Sequence, residues 1–149
     1  MAIIRFQLEH APAGVHVADM VPNPIHVEDW PFCARKDDYL LWVGRFDPVK
    51  GAHCAISVAH QAGLPLVLAG PVQPGQERYF GEQIEPHLDG QRVRFAGEVG
   101  GARRKQLFAH ARALLMPIRW PEPFGLVMVE ALTCGTPVIA FPEGAAAEI

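Results

Sequence analysis

From Tyr39 onward, short unbroken apolar runs alternate with longer stretches whose apolar positions recur at helical spacing. Tyr39-Leu40-Leu41-Trp42-Val43-Gly44 is short and has no polar alternation, which predicts a strand buried on both faces. Ala52, Ala55, Ile56 and Ala59 then fall at i, i+3, i+4 and i+7, the stripe of an amphipathic helix. Leu64–Ala69 is apolar again and ends at Gly70. Gly75–Leu88 reads as a polar helix and Val93–Ala96 as a strand that ends at Gly97. Arg104, Leu107, Phe108 and Ala111 repeat the helical spacing, and Ala113–Pro117 is a further strand. Gly125–Cys134 is the next helix, with Gly135 as its C-terminal stop, and Pro137–Ala140 is the last strand. Alternation of this kind predicts an α/β fold: a Rossmann-like open parallel sheet of four to six strands, with helices on both faces. Ligands of such sheets bind beyond the carboxyl ends of the strands.

Residues 1–38 lack that rhythm. Pro12, Pro22, Pro24 and Pro31 interrupt any long helix. Val15–Val17 and Val21 predict a short strand before the turn Pro22-Asn23-Pro24. Glu28, Asp29, Lys36, Asp37 and Asp38 suggest a solvated connector. The chain therefore divides into an irregular inter-domain segment, 1–38, and a folded α/β unit, 39–149.

Composition narrows the function classes. With 149 residues, 50% of them hydrophobic and 19% charged, the chain can bury a sizeable core. The net charge of −3 offers no basic excess for nucleic acid. No apolar run approaches a membrane span, and Met1–Phe6 makes a poor signal peptide. Cys33, Cys54 and Cys134 are odd in number and widely spaced, which argues against a disulfide framework or a zinc site and fits a reducing, cytoplasmic setting. His53 and His60 read as helix-surface residues rather than ligands. No metal site is expected.

Two places carry chemistry. The first strand ends in Gly44-Arg45-Phe46-Asp47-Pro48-Val49-Lys50-Gly51, which sets Arg45 at the strand end and Lys50 just before a helix. Two cations beside a helix N-terminus suit a diphosphate, although solvated loop cations would read the same. The strand at Ala113–Pro117 leads into Glu122-Pro123-Phe124-Gly125-Leu126-Val127-Met128-Val129-Glu130. Glu130 stands among apolar residues, where a buried carboxylate needs partners. Sugar or ribose hydroxyls would serve; a place on the wet face of the helix would remove the need. Trp120 reads either as a stacking surface for a sugar or as loop packing.

The order of these motifs resembles the C-terminal domain of the retaining glycosyltransferases of family 4, also called group 1. The motifs are Gly44-Arg45…Lys50-Gly51, Phe95-Ala96-Gly97, Glu122-Pro123-Phe124-Gly125…Glu130-Ala131, Cys134-Gly135-Thr136-Pro137-Val138-Ile139-Ala140 and Gly144…Glu148-Ile149. The resemblance implies the C-terminal half of a GT-B fold enzyme that binds a nucleotide-diphosphate sugar, with no cofactor or metal, while an N-terminal domain binds the acceptor. By that resemblance Arg45 and Lys50 hold the diphosphate and offset charge on the leaving nucleotide. Glu122 contacts the donor sugar, and these three form the catalytic set. Glu130 holds the ribose hydroxyls. Gly44, Phe124, Gly125 and Leu126 supply backbone contacts, and Gly97 and Val99 lie against the base. The partner expectations are a nucleotide-sugar, no nucleic acid, peripheral membrane association of the full enzyme and self-association of this piece.

Departures from the family pattern set further expectations. Asn23-Pro24-Ile25-His26 replaces the usual Asn-Gly-(Ile/Val)-Asp at the domain junction, away from the donor. Gly144-Ala145 replaces Gly-Gly, and the added methyl is expected to narrow access to the donor. The resemblance sets the expectation that the acceptor domain and the family's catalytic His on it lie outside this chain, and that Ile149 falls inside a helix. The chain is therefore expected to be a donor domain incomplete at its C-terminus. Two other readings compete: a non-catalytic α/β interaction module, and a nucleotide-sugar epimerase of the same fold. The joint set Arg45, Lys50, Glu122 and Glu130 speaks against the interaction module, and the Glu122-Pro123-Phe124-Gly125…Glu130 arrangement favours the transferase over the epimerase.

Overall fold

In the computed structural model, which describes residues 5–149, the apolar runs form one parallel sheet. Its strands are β1 (Leu40–Val43), β2 (Leu66–Ala69), β3 (Val93–Phe95), β4 (Ala113–Met116) and β5 (Val138–Ala140), in spatial order β3-β2-β1-β4-β5. Helices α1 (Arg5–Glu9), α2 (Ala52–Ala62), α3 (Glu77–Gln83), α4 (Gly101–His110) and α5 (Leu126–Thr133) complete the fold.

Alternate side chains of each strand enter opposite cores. Leu40, Trp42, Leu66, Leu68, Ala113 and Leu115 pack against Ala52, Ala55, Ile56 and Ala59 of α2, together with Phe46 and Ile84. Leu41, Val67 and Leu114 face the other way, against Phe108 and Ala109 of α4 and Ala131 of α5. At the inner strands β1, β2 and β4 both faces are therefore dry, which is why these strands lack polar alternation, whereas the edge strands β3 and β5 are partly exposed. Among the described residues no helix is long and apolar enough to cross a membrane.

Several expectations fail locally. The helix over Gly75–Leu88 is split into α3 and a 3-10 turn, Glu85–His87, because Pro86 cannot continue the α-helical ladder. Val15–Val17 forms no strand, and Val15 is 56% exposed. A strand needs a neighbour to pair with and a surface to cover, and among the described residues Val15–Val17 has neither. Near the end of the chain Gly144–Ala147 forms a 3-10 turn.

Nor is the segment before β1 simply a solvated connector. Lys36 donates from Nζ to the carbonyls of Ala109 (2.7 Å) and Cys134 (2.9 Å) and to Thr136 Oγ1 (2.8 Å). It thereby caps the C-terminal ends of α4 and α5 together. Trp30 packs edge-on against Phe108, with ring centroids 5.7 Å apart. The Arg5 backbone N–H donates to the Glu148 carboxylate (2.9 Å).

The chain starts in the middle of the sheet, runs outward through β2 and β3, then returns to build β4 and β5 on the other side. The switch point lies between β1 and β4. The loops that leave these two strands carry Arg45, Lys50 and Glu122, so topology alone brings the sequence motifs to one place.

Candidate functional site

A groove of two joined clefts opens at that switch point. The larger, about 410 Å³, is lined by Gly44, Arg45, Lys50, Glu122, Phe124, Gly125 and Leu126, among others. The smaller, about 190 Å³, is lined by Gly70, Pro71, Glu98, Val99 and Arg104. Val43, Gly44, Arg45 and Val127 border both.

The loop after β1 is built to hold Lys50. Asp47 accepts from the Val49 backbone N–H (3.0 Å), and the buried indole of Trp42 donates to the Lys50 carbonyl (3.1 Å). Gly51 turns the chain into α2 with φ +74°, and a Cβ there would lie 2.3 Å from the Pro117 carbonyl oxygen, so no other residue fits between these two loops. Lys50 Nζ meets Glu122 Oε2 at 2.5 Å, with each side chain 15% exposed. Trp120 Nε1 donates to the same oxygen (3.2 Å), and the Lys50 ammonium lies 5.2 Å from the centre of the Trp120 ring. Trp120 is thus part of the charged cluster rather than loop packing alone.

At the other end Glu130, on α5, accepts from Arg104 Nη2, on the first turn of α4. The partner for Glu130 is therefore a protein cation. Burial pushes the Glu130 carboxyl above its ordinary value, while the Arg104 guanidinium pulls it back. Between the two ion pairs, Arg45 is exposed and makes no hydrogen bond or ion pair among the described residues.

The predicted residues are not all equally placed. Gly44, Arg45, Lys50, Glu122, Phe124, Gly125 and Leu126 share the larger cleft, and Val99 lines the smaller. Phe124 also packs its ring against Met116, Met128 and Ala145. Gly97 and Glu130 stand one layer back. The Gly97 carbonyl accepts from the Gly70 N–H (2.9 Å), and Glu130 stands behind the lining of the smaller cleft, in contact with Arg104 at its edge. No side chain caps the start of α5, and its first two residues, Leu126 and Val127, line the larger cleft.

Two expectations are corrected here. Ala145 does not narrow the groove: its methyl is fully buried in the cluster of Met116, Ile118 and Phe124, and its N–H donates to the Glu122 carbonyl (3.0 Å). The position that admits no side chain is Gly144, where a Cβ would lie 2.5 Å from the Glu122 backbone nitrogen. Asn23 is not remote either, since it lines the larger cleft beside Glu122. Sequence reasoning also passed over Arg104, which nothing in the local pattern separates from a solvated helix cation. Among the described residues no three metal-ligating side chains come together. His53 bonds instead to the Tyr79 hydroxyl (2.8 Å).

Similarity to known proteins bears on this groove. The glycosyl transferases group 1 family model matches residues 32–149. A glycogen synthase of Mycobacterium tuberculosis is 31% identical over 144 residues, 91% of this chain and 34% of the relative. A phosphatidyl-myo-inositol mannosyltransferase of the same organism is 30% identical over 132 residues, 80% of this chain and 34% of the relative. The chain thus spans about a third of the length of these curated relatives. Among solved structures, AviGT4, a glycosyltransferase involved in avilamycin A biosynthesis, superposes with a TM-score of 0.85 at 38% identity, covering 99% of this chain and 45% of that one. Anabaena Alr3699/HepE, solved in complex with UDP and glucose, superposes with a TM-score of 0.75 at 28% identity, covering 87% of this chain and 40% of its own. The parallel sheet, the paired carboxylates at its switch point and these matches lead to one conclusion: the chain belongs to the glycosyl transferases group 1 family.

Proposed function

We propose that this chain is the donor-binding half of a cytoplasmic, retaining family 4 glycosyltransferase of GT-B architecture. It holds a nucleotide-diphosphate sugar while a second domain presents the acceptor. The observation that carries this reading is the pairing of both carboxylates of Glu122-x7-Glu130 with cations from other elements around one groove. Such a groove offers separate places for phosphates, for a sugar and for a ribose. That Alr3699/HepE was solved with UDP-glucose supports the same ligand class.

In this reading the diphosphate lies over Gly44 and takes Arg45 and Lys50 as its counter-charges. Arg45 is free to engage two oxygens at once. Lys50 has three donors, so it can turn one to a phosphate while keeping Glu122. As the glycosidic bond to the diphosphate breaks, negative charge grows on the leaving oxygen, and the two fixed cations stabilise it. No metal or other cofactor is required. Glu122 accepts from a hydroxyl of the donor sugar, Glu130 from the ribose, and Phe124, Gly125 and Leu126 line the sugar and phosphates. Gly97 and Val99 border the base.

The test is calorimetric titration of the folded chain with UDP, GDP, ADP and their sugars. Binding of one base series is expected, weakly, because a single domain covers the ligand on one side only. Absence of binding by all three series at millimolar concentration overturns the donor-site reading.

A further inference from the structure

Arg104 lies outside every motif that marks the site, yet it lines the smaller cleft and grips Glu130. Its guanidinium is held on two sides. Nη2 donates to Glu130 Oε2, and the carbon at its centre lies 5.3 Å from the Phe108 ring, one turn along the same helix. Phe108 is itself fully buried, with Trp30 against its edge. A planar cation clamped between a ring and a carboxylate has its orientation fixed, which a flexible ammonium would lack.

The acid needs that support. The Glu130 side chain is 14% exposed, on a helix of apolar residues, and a lone carboxylate there favours its protonated form. The groups acting on it are Arg104 from α4 and the Cys134 thiol at the end of its own helix, itself near Lys36 and Lys105. Among the described residues only Oε2 is engaged. No buried side-chain oxygen lacks a partner among the described residues, so Oε1, which accepts no protein hydrogen bond, retains contact with solvent.

We propose that Arg104 is a positioning residue for nucleotide binding: by gripping Oε2 it fixes the Glu130 carboxylate and leaves Oε1 to accept from the vicinal hydroxyls of a ribose. The proposal rests on the donor-site reading above and adds a residue that reading does not contain.

The test is a double-mutant cycle in the full chain. It is read with whichever of UDP, GDP and ADP the parent binds, and with the 2′,3′-dideoxy counterpart. Arg104→Gln is expected to raise the ribonucleotide Kd about ten-fold and to leave the dideoxy Kd within about two-fold. Arg104→Lys, which keeps the charge, recovers part of the loss. On a Glu130→Gln background, Arg104→Gln adds nothing, because its effect passes through that carboxylate. As pH falls, ribonucleotide binding by Arg104→Gln fails at a higher pH than in the parent, since an unsupported carboxylate takes up its proton sooner.

Equal losses for ribo and dideoxy ligands overturn the proposal, because Arg104 would then touch the diphosphate itself. Additive losses in the cycle overturn it too, as the mark of a fold effect. Should Arg104→Gln not fold, Arg104→Lys carries the test: a smaller loss confined to the ribonucleotide supports the role, and a loss shared with the dideoxy ligand overturns it. Glu130→Gln that keeps the parent's ribose preference, or a parent that binds no nucleoside diphosphate, overturns the functional reading and this role with it. Glu130→Gln that loses the preference while Arg104→Gln keeps it overturns the Arg104 role alone.

Discussion

At one end of the groove Lys50 and Glu122 meet across two loops; at the other Arg104 and Glu130 meet across two helices. The first pair shares its exposure evenly, 15% for each side chain, and both members face the larger cleft. The second is uneven: the arginine is 28% exposed and the glutamate 14%. Only the arginine lines the smaller cleft. Under the proposed function, loops and a point-charge ammonium let the first pair share its cation with an incoming phosphate. Helices and a stacked guanidinium make the second pair a fixed support for one acid. In that reading one site contains an exchangeable ion pair and a permanent one. The distinction comes from the elements that carry the residues, because both pairs join a cation to a glutamate of the same motif.

The largest effect that separates the two ends is expected for Lys50→Ala. In the proposed reading it removes a phosphate counter-charge, and among the described residues it leaves the Glu122 carboxylate partnered by Trp120 alone. Affinity for the nucleoside diphosphate falls by about 2–3 kcal/mol, while affinity for the nucleoside stays near that of the parent. Calorimetry with both ligands checks this, and a uniform loss would instead point to damaged folding. Next is Glu130→Gln, which costs the ribonucleotide about 1.5 kcal/mol by replacing a charged acceptor with a neutral one. Equal affinities of variant and parent would leave the helix-borne pair without a ligand role.

A smaller effect of opposite sign sharpens the contrast. In the proposed reading Glu122 competes with phosphate for Lys50, so Glu122→Gln releases the ammonium. The nucleoside diphosphate is expected to bind slightly tighter, by up to about 1 kcal/mol, while the corresponding nucleotide-sugar gains less or loses. No such tightening is available at the Arg104 end. If both ligands weakened together, the loop pair would be as permanent as the helical one.

The uneven legibility of the site follows from the same geometry. The three inner strands β1, β2 and β4 are readable because they are covered on both faces, and near-uniform burial leaves an unbroken apolar run; the edge strands β3 and β5 are largely exposed and give a shorter signal. Arg45, Lys50 and Glu122 are readable because topology forces the ends of β1 and β4 together whatever the rest of the chain does. Arg104 and Lys36 are not, because their partners lie 26 and up to 100 residues away. Periodicity registers only which way a residue points from its own element, so a cation that bridges two elements reads as a solvated one. Glu130 shows the same limit from the other side. Its apolar neighbours signalled burial, but nothing local could say that a protein cation would meet it. The break before Pro86 was a different matter, readable from proline chemistry alone.

The smallest effect concerns stability rather than binding, and its sign is fixed by Glu130. Its carboxyl sits above the ordinary glutamate value of 4.5 in the folded chain, chiefly through burial, even with Arg104 beside it. Between the ordinary value and the raised one, the folded state holds a proton that the unfolded state has released. By linkage, this group's contribution to stability is fully present below the ordinary value and is lost as pH rises through the raised one. At neutral pH the ionised Glu130 is therefore a mild burden on the fold. Glu130→Gln, which cannot ionise, is expected to melt at or slightly above the parent at pH 7, by less than about 1 kcal/mol because the groove remains open to water. The gap should close as the solution is acidified below the ordinary glutamate value. Ribonucleotide binding by the parent runs the other way, strengthening as pH rises through the same window, because the acceptor must be charged. Thermal melts and titrations across that range measure both trends on one protein. A Gln variant that melts well below the parent at pH 7 would mean that the Arg104–Glu130 pair is kept for the fold, and the contrast between a permanent and an exchangeable ion pair would then be one of stability rather than of ligand use.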